Sequence, residues 1–232
     1  MSAPLASIIL PVHNQADHIG AVVAEYVEAL ARTEQPYELI LVPNGCRDES
    51  LDACRQLALQ YPEVRVVTSS QSGWGHAVKL GLESARGELL GYTNSARTSA
   101  PDLILLLLYA RVYPNIVVKA NRKIRESWQR RLGSLIYNLQ CRALFDLSNW
   151  DINGTPKFFP RSFTKLLSLT RTDDLIDAEF SVVARRENYP MLEVPIFSAR
   201  RHGGRSTTNF RAALRMYWGA YSLRKALRRA AQ

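Results

Sequence analysis

Residues 38–61 read ELILVPNGCRDESLDACRQLALQY, and the order of residue types in them decides the fold. Glu38 leads an apolar run, Leu39 to Val42, of the kind that fills a strand covered on both faces. Pro43-Asn44-Gly45 marks a turn, and residues 50–61 continue with helical periodicity. The same strand–turn–helix unit recurs on either side. Before it, residues 7–12 (SIILPV) break at Pro11 and His13-Asn14, and residues 17–32 place Ile19, Val22, Val23, Tyr26, Val27 and Leu30 on one helix side. After it come a strand at 64–68, a loop with Gly73 and Gly75, a helix at 76–85, a strand at 88–92 and a helix from Pro101. This alternation predicts an α/β fold, Rossmann-like, with a mostly parallel nucleotide-binding sheet flanked by helices. Open parallel sheets bind ligands at the carboxyl ends of their strands. The polar loops at 13–18, 43–49, 71–76 and 93–99 all fall there.

The second half is less regular. A basic segment at 119–131 precedes an apolar helix-like stretch to Leu147, followed by a polar loop at 151–161 with a short aromatic strand. Residues 173–189 read as helix and 191–197 as strand. With no repeat and no linker, residues 1–208 are expected to form one domain and 209–232 a basic amphipathic C-terminal helix.

The 232 residues are 47% hydrophobic and 22% charged, which excludes a disordered chain. Net charge is +9, from 30 basic and 21 acidic residues. No acidic residue follows Glu193, whereas Arg200, Arg201, Arg205, Arg211, Arg215, Arg224, Lys225, Arg228 and Arg229 do. Those nine equal the whole excess, so the body is neutral and the tail basic. Within the tail, Arg211, Arg215, Trp218, Ser222, Lys225 and Arg229 share one helical stripe, with Phe210, Leu214, Tyr217 and Tyr221 on another face. That pattern fits adsorption to an anionic membrane surface, and equally a helix packed on the body with a solvated charged edge. Nucleic acid is not an expected partner, because no reading helix or aromatic–basic platform is evident. The longest apolar run, Leu103–Tyr109, is far short of the roughly 20 residues a spanning helix needs. Cys46, Cys54 and Cys141 match neither a zinc pattern nor a disulfide framework. The expected location is therefore cytoplasmic, peripheral at the membrane.

Four segments, in order, carry a family resemblance. Ile9-Leu10-Pro11-Val12-His13-Asn14-Gln15 is similar to a PxYNE opening, and Val42-Pro43-Asn44-Gly45-Cys46-Arg47-Asp48-Glu49-Ser50 to VDDGSxDxS. Gly73-Trp74-Gly75-His76-Ala77, with Gly81, Ala85 and Gly87, is similar to GKGxAxxxGxxxAxG. The last runs from Asp151-Ile152-Asn153-Gly154-Thr155-Pro156-Lys157 through Glu193-Val194-Pro195 to Arg201-His202-Gly203-Gly204-Arg205-Ser206. Together they resemble the family 2 inverting glycosyltransferases of GT-A fold, above all the dolichol- and polyprenyl-phosphate sugar synthases.

The resemblance implies transfer of a sugar, with inversion, from a nucleotide-sugar donor onto a polyprenyl phosphate or similar membrane acceptor. It implies that Pro11, His13, Gln15 and Asn44 meet base and ribose. Gly73 and Gly75 would admit the nucleotide, and His76 or Lys79 would meet its phosphates. Arg122, Arg130 and Ser134 stand where relatives hold donor and acceptor phosphates, and Arg201 and Ser206 match the late segment that closes over them. Asp177 (or Glu179) and Asp151 are the acid–base candidates; the i, i+2 spacing of Asp177 and Glu179 points these two carboxylates apart. One departure stands out. Where relatives carry Asp-x-Asp for Mg²⁺ or Mn²⁺, this chain has Asn94-Ser95-Ala96. No metal ligands are assigned, and three explanations stay open: arginines, Arg97 included, neutralise the diphosphate; the protein binds a nucleotide-sugar without turnover; or Asp48 or Asp151 serves instead.

Overall fold

A computed structural model describes residues 5–123, 128–197 and 210–229, apart from the side chains of 129, 130, 210–214, 228 and 229. Every residue of β1 (Ala6–Val12) is buried, as its unbroken apolar run requires. It lies between β2 (Tyr37–Pro43) and β4 (Leu89–Tyr92), parallel to both, and β3 (Val64–Val66) extends the sheet parallel to β2. Beyond β4 come β6 (Lys157–Pro160), β5 (Val117–Arg122) and β7 (Met191–Ile196), giving the order β3-β2-β1-β4-β6-β5-β7. The sheet is mostly parallel, but β6 runs antiparallel to both β4 and β5.

Alternate residues of each strand face different layers. Ile8, Leu10, Leu39 and Leu41 pack with Ile19, Val22, Val23 and Tyr26 of α1 (Ile19–Ala31), Cys54 and Leu57 of α2 (Ser50–Gln60), and Leu103, Leu106 and Leu107 of α4 (Ala100–Val112). Ile9, Ile40, Leu90 and Phe159 face Ala77, Val78 and Leu82 of α3 (Trp74–Ser84) and Ile176 and Phe180 of α6 (Ile176–Arg186). A third apolar cluster joins α5 (Trp128–Phe145), α6 and α7 (Phe210–Arg229) through Tyr137, Cys141, Val182, Ala220 and Leu223. The leucine run at 103–109 lies inside α4, whose start is capped by the Ser99 hydroxyl accepting from the Asp102 N–H at 3.2 Å. Among the described residues no helix is long and apolar enough to cross a membrane.

The segment at 119–131, expected as one basic stretch, divides. Its first part is the end of β5, and Lys119 is fully buried there rather than solvated. The helix expected from residue 173 begins at Ile176.

Candidate functional site

The polar loops at the carboxyl ends of β1, β2 and β4 are bound to one another. The His13 imidazole lies with Nδ1 at 2.7 Å from the Asn44 carbonyl oxygen. A carbonyl only accepts, so Nδ1 carries the proton. Asn14, at φ 51°, sits beside the other ring nitrogen and accepts from the Arg47 N–H at 2.8 Å. The Gln15 N–H donates to the Ser50 hydroxyl at 2.7 Å, and Gln15 Oε1 accepts from the Ser95 hydroxyl at 2.6 Å. Asp48 accepts from the Ala16 N–H and from the Ser50 N–H and hydroxyl. Burial works to raise the Asp48 carboxyl, but these donors outweigh it and hold it below its ordinary range.

Asn44 is buried, and its amide is occupied. It donates to the Val12 and Val42 carbonyls at 2.9 and 3.2 Å and accepts from the Gly73 N–H at 3.0 Å. The side chain thus ties β1, β2 and the glycine loop together. A direct contact with a base, expected from its motif, would have to use what these three bonds leave.

The glycines at 73 and 75 make room, but for the chain itself. A Cβ at Gly73 would stand 2.8 Å from the Thr172 carbonyl oxygen, and one at Gly75 2.6 Å from that of Asp173. Gly73 also has φ 153°, which side-chain-bearing residues rarely adopt. The close approach expected for a nucleotide is therefore taken by residues 171–173. His76, which follows, donates its N–H to the Thr172 carbonyl at 2.8 Å and places Nε2 2.7 Å from the Ser69 hydroxyl.

Beneath β4, β6, β5 and β7 runs a row of polar side chains that the sequence reading did not assign a role. Tyr92 pairs in register with Lys157, Lys157 with Lys119, and Lys119 with Glu193. Both lysines are fully buried. Lys157 Nζ reaches Asp177, whose carboxylate also accepts from Tyr92 Oη at 2.8 Å and Trp74 Nε1 at 3.0 Å. Burial lowers the Lys157 ammonium to a pKa of about 8, only partly offset by the neighbouring carboxylate. Lys119 reaches the Asp151 carbonyl and Glu193 Oε1, the latter at 2.9 Å. The clue in the sequence is Lys set among apolar strand residues, VVKA and KFF, where a solvated lysine has no outlet.

Two of the expected site residues form one ion pair. Asp151 accepts from Arg122 Nε at 2.8 Å, Nη2 at 2.9 Å and the backbone N–H at 3.0 Å. Burial works against the Arg122 charge, and Asp151 more than restores it, holding the guanidinium above its ordinary pKa. Its charge is balanced within the protein, so a phosphate at Arg122 would share the guanidinium with Asp151. The loop carrying Asp151 presses on β5: a Cβ at Gly154 would lie 1.9 Å from the Ala120 carbonyl oxygen. Asp177 is similarly committed. At 4% exposure and with three donors, it is a buried anchor for Trp74, Tyr92 and Lys157 rather than an accessible acid or base. Glu179 points elsewhere, accepting from the N–H groups of Thr170 and Arg171.

At the end of β4, Asn94 Oδ1 accepts from the Ala96 N–H at 3.0 Å, and Ser95 is fully buried against Gln15 and the Pro11 carbonyl. These groups are neutral, and hard divalent ions want anionic oxygens. No group of three His, Cys, Asp or Glu able to hold a metal occurs among the described residues. The groups described at the end of β4 do not fit Mg²⁺ or Mn²⁺. Ser134 stands half-buried on α5. The Arg130 side chain, Arg201 and Ser206 lie outside the described residues.

The family model described as "Glycosyl transferase family 2" matches residues 7–168. An uncharacterized glycosyltransferase of Bacillus subtilis is 27% identical over 57% of this chain and 42% of its own length. An undecaprenyl-phosphate 4-deoxy-4-formamido-L-arabinose transferase of Serratia proteamaculans is 26% identical over 86% of this chain and 61% of its own. The chain thus spans about half the length of these curated relatives. In fold it is similar to glucosyl-3-phosphoglycerate synthase from Mycobacterium tuberculosis, solved with Mn²⁺, UDP and phosphoglyceric acid. The TM-score is 0.74 at 17% identity, over 95% of this chain and 78% of that one.

Proposed function

The chain belongs to glycosyl transferase family 2, and from that premise we propose that it transfers a sugar, with inversion, from a nucleotide-sugar donor onto a polyprenyl phosphate. The observation that carries this reading is the joining of the strand-end loops by His13–Asn44, Gln15–Ser95 and Asn44–Gly73, which forms one polar rim where open parallel sheets take ligands. The Serratia relative, whose name specifies an undecaprenyl phosphate acceptor, supports the acceptor class.

A lipid phosphate is already an anion at neutral pH. One of its oxygens attacks the anomeric carbon as the bond from that carbon to the diphosphate oxygen breaks, and the nucleoside diphosphate leaves. No base is required, so catalysis consists of positioning and of stabilising the leaving charge. Pro11, His13 and Gln15 line the rim on which base and ribose would sit, and His76 stands on the phosphate side. With neutral groups at the end of β4, the leaving diphosphate relies on arginines, with Arg97, Arg122, Arg130 and Arg201 the candidates. Asp151 and Asp177 act by holding Arg122, Trp74 and Lys157 in place. The basic C-terminal helix turns toward an anionic, cytoplasmic membrane face.

Transfer to a short-chain polyprenyl phosphate, assayed across UDP-, GDP-, CDP- and dTDP-sugars with excess EDTA, tests the proposal. Turnover under EDTA supports it, and activity that vanishes with EDTA and returns with Mn²⁺ refutes the arginine mechanism. The missing carboxylate pair favours one other reading, a nucleotide-sugar-binding protein without turnover. Thermal stabilisation by a nucleotide-sugar with no transfer under any metal would select it.

A further inference from the structure

On α5, five apolar side chains face away from the body. Trp128 is 71% exposed, and Leu132, Leu135, Ile136 and Leu139 are 45–49% exposed. Positions 128, 132, 135 and 139 follow 4-3-4 spacing, so they form one stripe along the helix. The packed side of the same helix, through Tyr137 and Cys141, lies opposite. The helix is thus apolar on both sides, and only one side has a partner among the described residues. Helix α7 shows the same division. Ala220 and Leu223 are buried against the body, while Trp218 is 73% and Tyr221 53% exposed beside exposed Arg215 and Lys225. The two helices are fastened together by Tyr217 Oη donating to the Gly133 carbonyl at 2.6 Å and Gln140 Nε2 to the Tyr217 carbonyl at 2.9 Å.

We propose that the α5 stripe is the apolar half of a membrane-docking face, inserted among the headgroups of an anionic bilayer while the basic residues of α5 and α7 meet the lipid charge. The inference rests on the lipid-acceptor reading and extends it, because the sequence pointed to the C-terminal helix alone. Charge decides the occupant. Neither helix contains an acidic residue, whereas both carry arginines, with Arg131, Arg215 and Lys225 exposed. A second copy would bring like charge against like charge, while an anionic leaflet complements the face and accepts Trp and Leu at its interface. The placement also suits the chemistry. Only five residues separate Arg122 from Trp128, so the tip of the stripe stands within roughly 20 Å of the Arg122–Asp151 pair. Docking α5 therefore delivers a headgroup-depth phosphate to that end of the sheet.

The full chain is mixed with phosphatidylcholine vesicles made with and without phosphatidylglycerol, and sedimentation is measured. The triple variant Leu132→Gln/Leu135→Gln/Leu139→Gln removes apolar surface from half-exposed positions and keeps good helix formers. It should lose roughly tenfold or more of its binding to the anionic vesicles, with unchanged circular dichroism and unchanged transfer to a water-soluble short-chain acceptor. Arg131→Gln should lose about fivefold. Undiminished vesicle binding by the triple variant overturns the inference. So does a wild-type dimer in light scattering that the triple variant dissociates, since a second copy would then cover the stripe. Absence of transfer by the wild type in the soluble assay counts against the sugar-transfer reading, and the vesicle comparison still decides the stripe.

Discussion

Replacing Asp177 by Asn leaves the Lys157 ammonium with no counter-charge in a fully buried position between the rings of Tyr92 and Phe180, each about 5.3 Å away. Lys119 lies next to it in register and repels it. Stranding a buried charge costs about 3–5 kcal/mol. In a chain of this length that corresponds to a fall of roughly 6–20 °C in melting temperature. Lys157→Met is the milder change, because the Asp177 carboxylate keeps Tyr92 Oη and Trp74 Nε1 as donors. The double variant removes both charges, leaves nothing stranded and should recover most of the loss, to within about 1–2 kcal/mol of wild type. Urea unfolding of the four proteins at pH 7 gives the cycle directly. Losses that simply add, or an Asp177→Asn cost below about 1 kcal/mol, would show that Lys157 finds water or gives up its proton at no cost. The pair would then not anchor this side of the site.

Four further outcomes follow from the same structure. Lys157 has its pKa depressed to about 8, so the stability from burying it uncharged is full above its ordinary 10.5 and is lost as pH falls through 8; the wild type should therefore gain on Lys157→Met as pH rises from about 8 to 10.5, and the gap between their unfolding free energies should widen. Gly154→Ala should unfold the 151–156 loop or the whole chain, read by thermal melting, since its Cβ would lie 1.9 Å from a backbone oxygen of β5. Arg122→Ala should cost about 10²–10³ in transfer rate, and Asp151→Asn, which frees the guanidinium from its holder, should raise the donor KM. Asn44→Asp replaces two donated hydrogen bonds to buried carbonyls by a carboxylate facing them, and should cost about 2–4 kcal/mol in chemical unfolding, about 1–2 per lost bond.

The left half of the sheet was legible because its residues obey local rules. Runs such as SIILPV and ELILV are short, apolar and rich in β-branched residues, and each ends in a turn signal, which favours a doubly covered strand. The candidate site's position is what strand topology alone leads one to expect. What escaped was set by partners distant in sequence. Lys119 in β5 read as the start of a basic segment, because nothing near it reveals Glu193, 74 residues on. Gly73 and Gly75 signalled a close approach, but local sequence could not say that the approaching group would be the backbone at 171–173. In α7 the basic stripe was visible, whereas its division into a packed and an exposed side depends on α5 and α6. The exposed leucines of α5 were hidden by the apparent ordinariness of an apolar helix.

The two buried lysines also fix how the strands are aligned. Side chains alternate along a strand, so sliding β6 by a single position would turn Lys157 into the apolar layer beneath α1 and α4 and bring Phe158 against Asp177. Either error leaves charges without partners, whereas two phenylalanines exchanged alone would be tolerated far better. This matters most for β6, the short antiparallel strand wedged between parallel neighbours, whose four residues offer little else to hold their alignment. Misplacing it by one residue would carry the preceding loop along the sheet, and with it Asp151 and its grip on Arg122.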